Sequence, residues 1–437
     1  MKRGKRILIG AGCLVLLLVS WLIAVNSKSA IITQMELMAQ AAALVDDGIY
    51  IRAVPLLEEA AGYNTTLTIT VEEELKKTYL ALVDTRGFRR KYTNLLEAQM
   101  NRADARPETF AEAANYYIGE SKIPMALEIL RTGIEKTGSG DLTALYEHNR
   151  YAFETSRTTY EAVSSIHGST VGVQRDGLWG IASSDGILRI PCEYEQISTF
   201  SVDRAIVKKD GEIYAINIDN NRIAILREEA EDFGNYANDR VPILVGGAWR
   251  RATGEFEIGS ASFEQVGMYS GGYAAAKTDG KWGVIDLSLN WLLPAEYDEI
   301  IGDELGRCYA QDAVFARRNG VVYLFVKGQQ VGGSFDDAKP FSAEGYAAVM
   351  KDGKWGYIDT EGTLNVGFRF DDALSFGQHL AAVKIEEMWG YISLDGRVVI
   401  EPIFLEAKSF SNGSAPVLTE RGWQFITLLE YKKGASL

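Results

Sequence analysis

The residue types that most often carry catalytic or metal-binding chemistry are sparse in this chain and are not spaced for it. Its three histidines, His148, His167 and His379, each lack a second histidine or a cysteine at metal-ligand spacing. The sequence therefore predicts no zinc site. A Gly-x-Ser-x-Gly elbow, a phosphate-binding Gly-Lys-Ser/Thr loop and a dinucleotide-binding fingerprint are also absent. We accordingly predict that the protein is not an enzyme, with no catalytic residue, no cofactor and no metal.

Carboxylates are the best remaining candidates for chemistry. Asp336 and Asp337 are adjacent, Asp371 and Asp372 repeat the pair one unit later, and Asp298 occupies the same position in another unit. Such a set could collect calcium or supply the two acids of a glycosidase. Aspartates at chain reversals more simply accept hydrogen bonds from turn amides. We predict the second role for these residues.

Composition and charge describe a folded, acidic chain. Its 437 residues are 47% hydrophobic and 24% charged, which suits two or three folded domains. The formal net charge is −14, and residues 31–437 contain 40 basic and 59 acidic side chains. Because such a surface repels phosphate backbones, we predict that the protein does not bind nucleic acid.

The first 30 residues predict a membrane anchor. Residues 7–25 contain no charged side chain, and four basic residues precede them. Nineteen apolar residues span roughly 28 Å as a helix, enough to cross a bilayer. The positive-inside rule places the N-terminus in the cytoplasm and the bulk of the chain outside. We predict a single-pass signal anchor in the cell membrane, with a cleaved signal peptide as the alternative.

Residues 31–166 predict helical hairpins. Ala, Leu and Glu recur at helical spacing, with breaks at 47–48, 86–87, 119–120 and about 155. Residues 46–60 resemble the turn and second helix of a tetratricopeptide unit, in which Ala53 allows close helix contact and Leu56, Leu57 and Ala60 face the neighbour. We predict about four tetratricopeptide-like hairpins, which either bind a peptide or partner helix or serve as a spacer.

Residues 167–437 predict an all-β array of repeats. Aromatic residues recur at steps of roughly 34 residues, each beside a turn. They are Trp179, Tyr214, Trp249, Trp282, Tyr323, Trp355, Trp389 and Trp423. Eight units follow from these positions. In one unit, residues 346–350 and 354–359 read as two strands joined by a positive-φ turn at Asp352-Gly353, and a third strand follows the turn at Glu361-Gly362.

Four of the aromatic residues precede a glycine. The pairs are Trp179-Gly180, Trp282-Gly283, Trp355-Gly356 and Trp389-Gly390. These residues and the surrounding repeat resemble the bacterial WG-repeat family, over about 60% of the chain. The resemblance implies β-rich repeats with interaction or scaffold roles and implies no shared catalytic reaction.

The tryptophans have two possible roles. As core residues, they and the Phe before each unit would bury on the order of 150 to 250 Å² each between neighbouring units. A glycine after Trp would then let a neighbouring backbone approach closely. Stacking against a sugar is the alternative role. The repeat period leaves a propeller-like ring and an open superhelix equally possible.

The sequence as a whole predicts a multi-domain α plus all-β protein. We expect a membrane anchor at 1–30, tetratricopeptide-like helices at 31–166 and a WG-repeat array at 167–437. The function expected is protein binding or scaffolding in the cell envelope, with cell-wall carbohydrate binding as the alternative. Outside residues 1–30, the two remaining cysteines, Cys192 and Cys308, are read as small buried residues, and a disulfide between them stays open.

Overall fold

The computed structural model describes residues 28–226 and 230–431, and the chain divides into two compact units between Asn149 and Arg150. The boundary expected at 166/167 differs, because residues 150–166 supply strands to the second unit. The anchor expected at 7–25 lies outside the described residues. No helix within the described ranges is both long and apolar enough to cross a bilayer.

Seven helices make up the described part of the first unit. They are residues 28–46 (α1), Tyr50–Ala61 (α2), Thr68–Ala81 (α3), Phe88–Met100 (α4), Pro107–Gly119 (α5), Ile123–Thr137 (α6) and Gly140–Asn149 (α7). Helix α2 buries Ala53, Leu57 and Ala60, the side expected from their spacing. The last of the four expected hairpins is incomplete, because the chain leaves α7 and continues as a β-strand.

Close packing of α5, α6 and α7 depends on a glycine. A Cβ atom on Gly133 of α6 would lie 2.7 Å from the ring of Phe110 in α5 and 2.8 Å from Leu142 in α7. Phe110 and Leu142 are both almost fully buried. Gly133 therefore allows two large side chains to meet over the α6 backbone.

The second unit is an eight-bladed β-propeller, and each blade is a four-stranded antiparallel sheet. The first strand of each blade lies at one edge of its sheet. Blades 1 and 2 contain Ala162–Val163 (β2), Thr170–Arg175 (β3), Leu178–Ser183 (β4), Leu188–Tyr194 (β5), Gln196–Ile197 (β6), Ala205–Lys209 (β7), Glu212–Ile216 (β8) and Arg222–Ile225 (β9). Blades 3 and 4 contain Asp232–Phe233 (β10), Val241–Val245 (β11), Ala248–Ala252 (β12), Ile258–Phe263 (β13), Gln265–Val266 (β14), Tyr273–Thr278 (β15), Lys281–Asp286 (β16) and Trp291–Tyr297 (β17).

The second half of the propeller repeats the same plan. Blades 5 and 6 contain Glu299–Ile300 (β18), Ala313–Arg318 (β19), Val321–Val326 (β20), Gln329–Phe335 (β21), Asp337–Ala338 (β22), Ala347–Lys351 (β23), Lys354–Ile358 (β24) and Leu364–Phe370 (β25). Blades 7 and 8 contain Asp372–Ala373 (β26), Leu380–Ile385 (β27), Met388–Ser393 (β28), Val398–Phe404 (β29), Glu406–Ala407 (β30), Ser414–Thr419 (β31) and Gly422–Leu428 (β32). The fourth strand of blade 8 is Phe153–Thr155 (β1), from the start of the unit.

Strand β1 closes the ring. It pairs antiparallel with β32, so that Phe153 lies opposite Leu428 and Thr155 opposite Ile426. The Ser156 amide donates to the Phe425 carbonyl at 2.7 Å, and the Ser156 hydroxyl accepts from the Phe425 amide at 3.0 Å. The array is therefore a closed ring, one of the two shapes that the repeat period allowed.

Each unit contains four strands, whereas the sequence predicted three. The missed strand is the first of each blade and has only two residues, as in Asp337–Ala338. Two residues are too few to show the alternation that identifies a strand. Their shortness also explains how a repeat of roughly 34 residues accommodates a four-stranded blade.

Aromatic residues form the contacts between blades. After its first strand, almost every blade presents a buried aromatic ring that packs against the preceding blade. The ring centroid of Phe376 lies 4.7 Å from that of Tyr357, Phe410 lies 4.7 Å from Tyr391, and Phe341 stacks on Phe315 at 5.4 Å. Burying such large rings between sheets provides much of the stability of the propeller.

Candidate functional site

The eight aromatic repeat positions occupy one structural place. All lie on the third strand of a blade: Trp179 on β4, Tyr214 on β8, Trp249 on β12, Trp282 on β16, Tyr323 on β20, Trp355 on β24, Trp389 on β28 and Trp423 on β32. Trp355, Trp389 and Trp423 are buried, and the other five rings are half-buried. Their main contribution is to packing within and between the blades.

The glycine after Trp makes room for a bulge in the fourth strand. In blade 6, Trp355 pairs with Phe370 and Tyr357 pairs with Val366, so extra residues of β25 lie opposite Gly356. Cβ atoms on the four glycines would lie 2.5 or 2.6 Å from a carbonyl oxygen of the bulged strand, closer than real Cβ atoms come. The glycines are Gly180, Gly283, Gly356 and Gly390. Glycine is therefore required by the bulge.

The carboxylates that recur once per unit bind turn amides. Asp298 accepts from the Asn319 amide at 2.6 Å, and Asp371 accepts from the Glu386 amide at 2.7 Å. A hydrogen bond from Lys281 holds the pKa of Asp298 below its ordinary value, and one from Lys354 does the same for Asp371. Across residues 28–226 and 230–431, no group of three or more His, Cys, Asp or Glu side chains is placed to hold a metal ion.

Histidines and cysteines are distributed over separate elements. His148 lies in α7, His167 in blade 1 and His379 in blade 7. Burial lowers the pKa of His167. Cys192 and Cys308 are both free thiols, so the disulfide left open by the sequence is not formed. Burial raises the pKa of Cys308 to about 12, which keeps this thiol protonated.

A loop of blade 5 fills the centre of the ring. Residues 302–307, which we call the plug, are inserted between β18 and β19. Asp303 organises the loop, because its carboxylate accepts from the Leu305 amide at 3.0 Å, the Arg307 amide at 2.9 Å and the Arg307 Nε at 2.6 Å. The sequence contained a signal for this insertion: Trp282 and Tyr323 are 41 residues apart, whereas the other steps are 32 to 35 residues.

The tip of the plug binds blades on the far side of the channel. The Glu304 carboxylate accepts from the Ser165 amide in blade 1 and from Lys408 Nζ in blade 8. The Leu305 carbonyl accepts from Asn235 Nδ2 of blade 3 at 3.0 Å. The plug borders two separate cavities, one of about 330 Å³ at blades 1 to 3 and one of about 960 Å³ extending to blade 8.

One face of the propeller has a ring of hydrogen bonds between neighbouring turns, which we call the turn ring. The turns join the first and second strands, and side chains of blades 3, 5, 6, 7 and 8 bond the backbone of the next blade. The bonds join Asn238 to Tyr269, Gln311 to Ala343, Glu344 to His379, Gln378 to Gly413, and Asn412 to Gly168. In the described part of the chain no bond from this turn position joins blades 1 and 2, blades 2 and 3, or blades 4 and 5, because Gly168, Val202 and Gly271 have no polar side chain there.

Comparison with known proteins identifies the repeats. A family model described as WG containing repeat matches residues 179–212, 260–282, 282–303, 334–355, 355–388 and 389–423. The matched segments of the propeller are WG repeats. The unmatched stretches 213–259 and 304–333 surround Tyr214, Trp249 and Tyr323, which lack the following glycine. Their blades form without it.

Solved structures similar to this chain include three proteins of low sequence identity. The Pan2 WD40 domain of Neurospora crassa is 10% identical with a TM-score of 0.35, and the match covers 61% of this chain and 88% of that one. The Cps50 (Swd1) β-propeller domain of Myceliophteria thermophila is 12% identical with a TM-score of 0.31, covering 55% and 99%. The AfRom2 CNH domain is 8% identical with a TM-score of 0.30, covering 63% and 96%. No curated protein matches this chain.

The gap between blades 1 and 2 in the turn ring of the WG propeller opens into a cleft, which we call the blade 1–2 cleft. Its volume is about 690 Å³, and it is lined by residues 167–170 of blade 1 and by residues 200–203, 217, 218 and 223 of blade 2. Val202, Ile218 and Ile223 are exposed there. This cleft could not be predicted from the sequence, because exposed and buried apolar residues look alike in a strand pattern.

Proposed function

We propose that this protein is a non-catalytic, membrane-anchored binding or scaffold protein of the bacterial envelope. Its helices and its WG propeller present surfaces for protein–protein interaction. The observation that carries the proposal is the uneven distribution of exposed apolar side chains. Seven of the fourteen large ones among the described propeller residues lie in blades 1 and 2, namely Leu178, Ile187, Leu188, Val202, Ile218, Ile223 and Ile225. Three of them, Val202, Ile218 and Ile223, line one cleft, and contiguous exposed apolar residues are typical of interaction sites.

The plug favours binding on the outer surface. Glu304 and Leu305 lie in the channel and bond blades 1, 3 and 8, which leaves divided cavities in place of an open channel. A macromolecular partner would therefore contact a face or the rim of the ring.

The side chains best suited to chemistry have structural partners, which supports a non-catalytic role. Asp298 and Asp371 bond turn amides and lysines, and Asp303 shapes the plug. The Cys308 thiol is buried and protonated. These side chains stabilise the fold through their contacts. A substrate could bind them only by displacing those contacts.

The membrane part of the proposal rests on the uncharged segment 7–25 and the basic residues before it. Alkaline extraction of membranes should leave the full chain in the pellet. Mapping the N-terminus of that material should recover residues before the apolar segment. A mature chain beginning near residues 27–31 would replace the anchor with a cleaved signal peptide.

In-cell crosslinking followed by purification of the full chain tests the binding role. The expected result is a defined adduct with one envelope protein, at a ratio near one to one. Recovery of the chain without any crosslinked protein, under conditions that crosslink a known envelope complex, would contradict the proposal.

Carbohydrate binding is the competing function, and one observation favours it. Trp291 on β17 is 41% exposed, and its ring covers Gly283, so an indole face is available on the outer edge of blade 4. Sugars stack on such faces. Quantitative sedimentation with purified cell wall, abolished by Trp291→Ala, would favour this function over protein binding.

A further inference from the structure

We propose that the blade 1–2 cleft is the docking site for a short apolar peptide segment flanked by basic residues. The proposal rests on the protein-binding function above and names where that partner binds and what its chemistry is. The proposal is supported by four features of the cleft: a gap in the turn ring, a strained exposed valine, an apolar wall on blade 2 and carboxylates at the rim.

The gap is a local departure from the repeat. At five of the eight junctions on this face, polar side chains such as Asn412 and Gln378 bond the turn of the next blade. The blade 2–3 junction, where Val202 takes this position, lacks the bond as well. At Gly271, which also lacks a side chain, Tyr309 of the next blade packs over the position, and an added Cβ would lie 3.1 Å from its ring. At Gly168 nothing lies within 4 Å of an added Cβ. The space beside Gly168 therefore stays open.

Val202 occupies the turn position that glycine, asparagine, glutamine or glutamate fills in other blades. Its φ is +60°, a left-handed conformation that is unfavourable for a β-branched residue. Its side chain is nevertheless 86% exposed, so burial within the fold does not compensate for the strain. Strained residues of this kind are concentrated at functional sites. A partner that covers Val202 would bury an apolar group already held in place.

The apolar side chains of the cleft all belong to blade 2, whereas residues 167–170 of blade 1 form a polar wall. Val202 and Phe200 come from the first turn of blade 2, and Ile218 and Ile223 come from its last turn and outer strand. The volume of about 690 Å³ lies within the range of roughly 300 to 1,000 Å³ typical of ligand pockets. Such a space accommodates the side chains of a few apolar residues.

The rim is acidic. Asp203 lines the cleft, and its partner Arg204, 3.1 Å away, is also paired at 2.6 Å with Glu255 of blade 3, which lies outside the lining. Arg204 is therefore shared and neutralises Asp203 only in part. Asp219, exposed in the turn beside Ile218, has no ion-pair partner among the described residues. Basic side chains flanking the apolar segment would complement this charge.

Peptide binding to the full chain tests the proposal. The probe is a fluorescent peptide with an apolar centre and lysines at both ends, and its matched peptides have either glutamates at the ends or serines at the centre. Anisotropy titration should give saturable binding of the first peptide, with both matched peptides at least tenfold weaker. Hydrogen exchange should show protection of residues 198–206 and 216–225.

Single substitutions test whether the peptide binds in the blade 1–2 cleft. Ile218→Ser should weaken the lysine-flanked peptide at least tenfold, whereas Leu287→Ser, at the equivalent turn position of blade 4 and similarly exposed, should have no effect. Val202→Gly should also weaken binding at least tenfold while the thermal midpoint stays the same or rises, since the strain is removed. Equal affinities for the Ile218 and Leu287 variants would overturn the proposal. So would an unchanged crosslinked adduct in cells carrying Val202→Gly, a result that leaves the binding function itself intact.

Discussion

The backbone of Gly356 lies against the carbonyl group of Val366, so closely that a Cβ atom on Gly356 would be 2.6 Å from that oxygen. Gly356→Ala should therefore displace the bulged strand β25 and lower the free energy of unfolding by about 1 to 3 kcal/mol. Urea denaturation followed by tryptophan fluorescence measures the change.

Gly367 provides the matched control in the same blade. It lies in the bulge of β25, its φ is not positive, and an added Cβ would meet nothing within 4 Å. Gly367→Ala should change the free energy of unfolding by less than about 0.5 kcal/mol. Equal losses at the two glycines would show that the close approach is not the reason for the Trp-Gly pair.

Ring closure can be tested at Ser156. Ser156→Pro removes the N–H that donates to Phe425, together with the hydroxyl that accepts from the Phe425 amide. Losing two hydrogen bonds of roughly 0.5 to 1.5 kcal/mol each should destabilise the propeller by about 1 to 3 kcal/mol. Ser156→Ala removes only the hydroxyl and should lose about half as much. Limited proteolysis should cut the proline variant first near β1, and a cleavage pattern identical to the unmodified protein would argue against the closure.

The plug should depend on Glu304, which accepts from the Ser165 amide and from Lys408 Nζ. Glu304→Ala leaves both donors without their partner and should cost about 1 to 3 kcal/mol. Amide exchange in residues 302–307 should accelerate by at least tenfold. Glu406→Gln, which removes the more distant partner of Lys408 at 3.8 Å, should leave this exchange nearly unchanged.

Protonation of Asp395 at low pH should remove one stabilising interaction of blade 7. Hydrogen bonds from Ser393 and Arg397 lower the pKa of Asp395 to about 2. Because this folded-state pKa is below the ordinary value of about 3.9, the stabilisation is complete above about pH 4 and is lost as the pH falls towards 2. The thermal midpoints of the native protein and Asp395→Asn should thus converge between pH 6 and pH 2.

Glu401 is the control for this pH dependence. It is an exposed carboxylate of the same blade, and Glu401→Gln controls for the loss of one negative charge. A constant difference between the native protein and Asp395→Asn across the whole pH range would contradict the assigned cause.

Local patterns made the repeat plan predictable. Trp355 follows a hairpin turn at Asp352 and Gly353, both of which have positive φ, so sequence and structure agree on the second and third strands of that blade. The same pattern located all eight units. The resemblance to WG repeats could be recognised from the Trp-Gly pairs. A glycine is required where the backbone of a neighbouring strand approaches closely, so this structural requirement is visible in the sequence.

Features that depend on contacts between residues far apart in the chain could not be predicted from local sequence patterns. Strand β1 precedes the first repeat and has no periodicity of its own, so its pairing with β32 appeared only in the structure. The plug had a length signal, but its contacts with Ser165 and Lys408 depend on the closed ring. The blade 1–2 cleft exists because the turns of two neighbouring blades do not contact each other. The sequence of one repeat does not show how its turn packs against the next blade.

The seam between β1 and β32 also sets the order of events during translation. Ser156 and Phe425 are 269 residues apart. Strand β1, the first strand to be synthesised, therefore cannot pair until β32, the last strand, has left the ribosome. Hairpins of the early blades form from local contacts, while sealing requires the slowest kind of contact, one between distant parts of the chain. A prematurely terminated polypeptide would expose two unpaired sheet edges and would therefore be more susceptible to proteolysis.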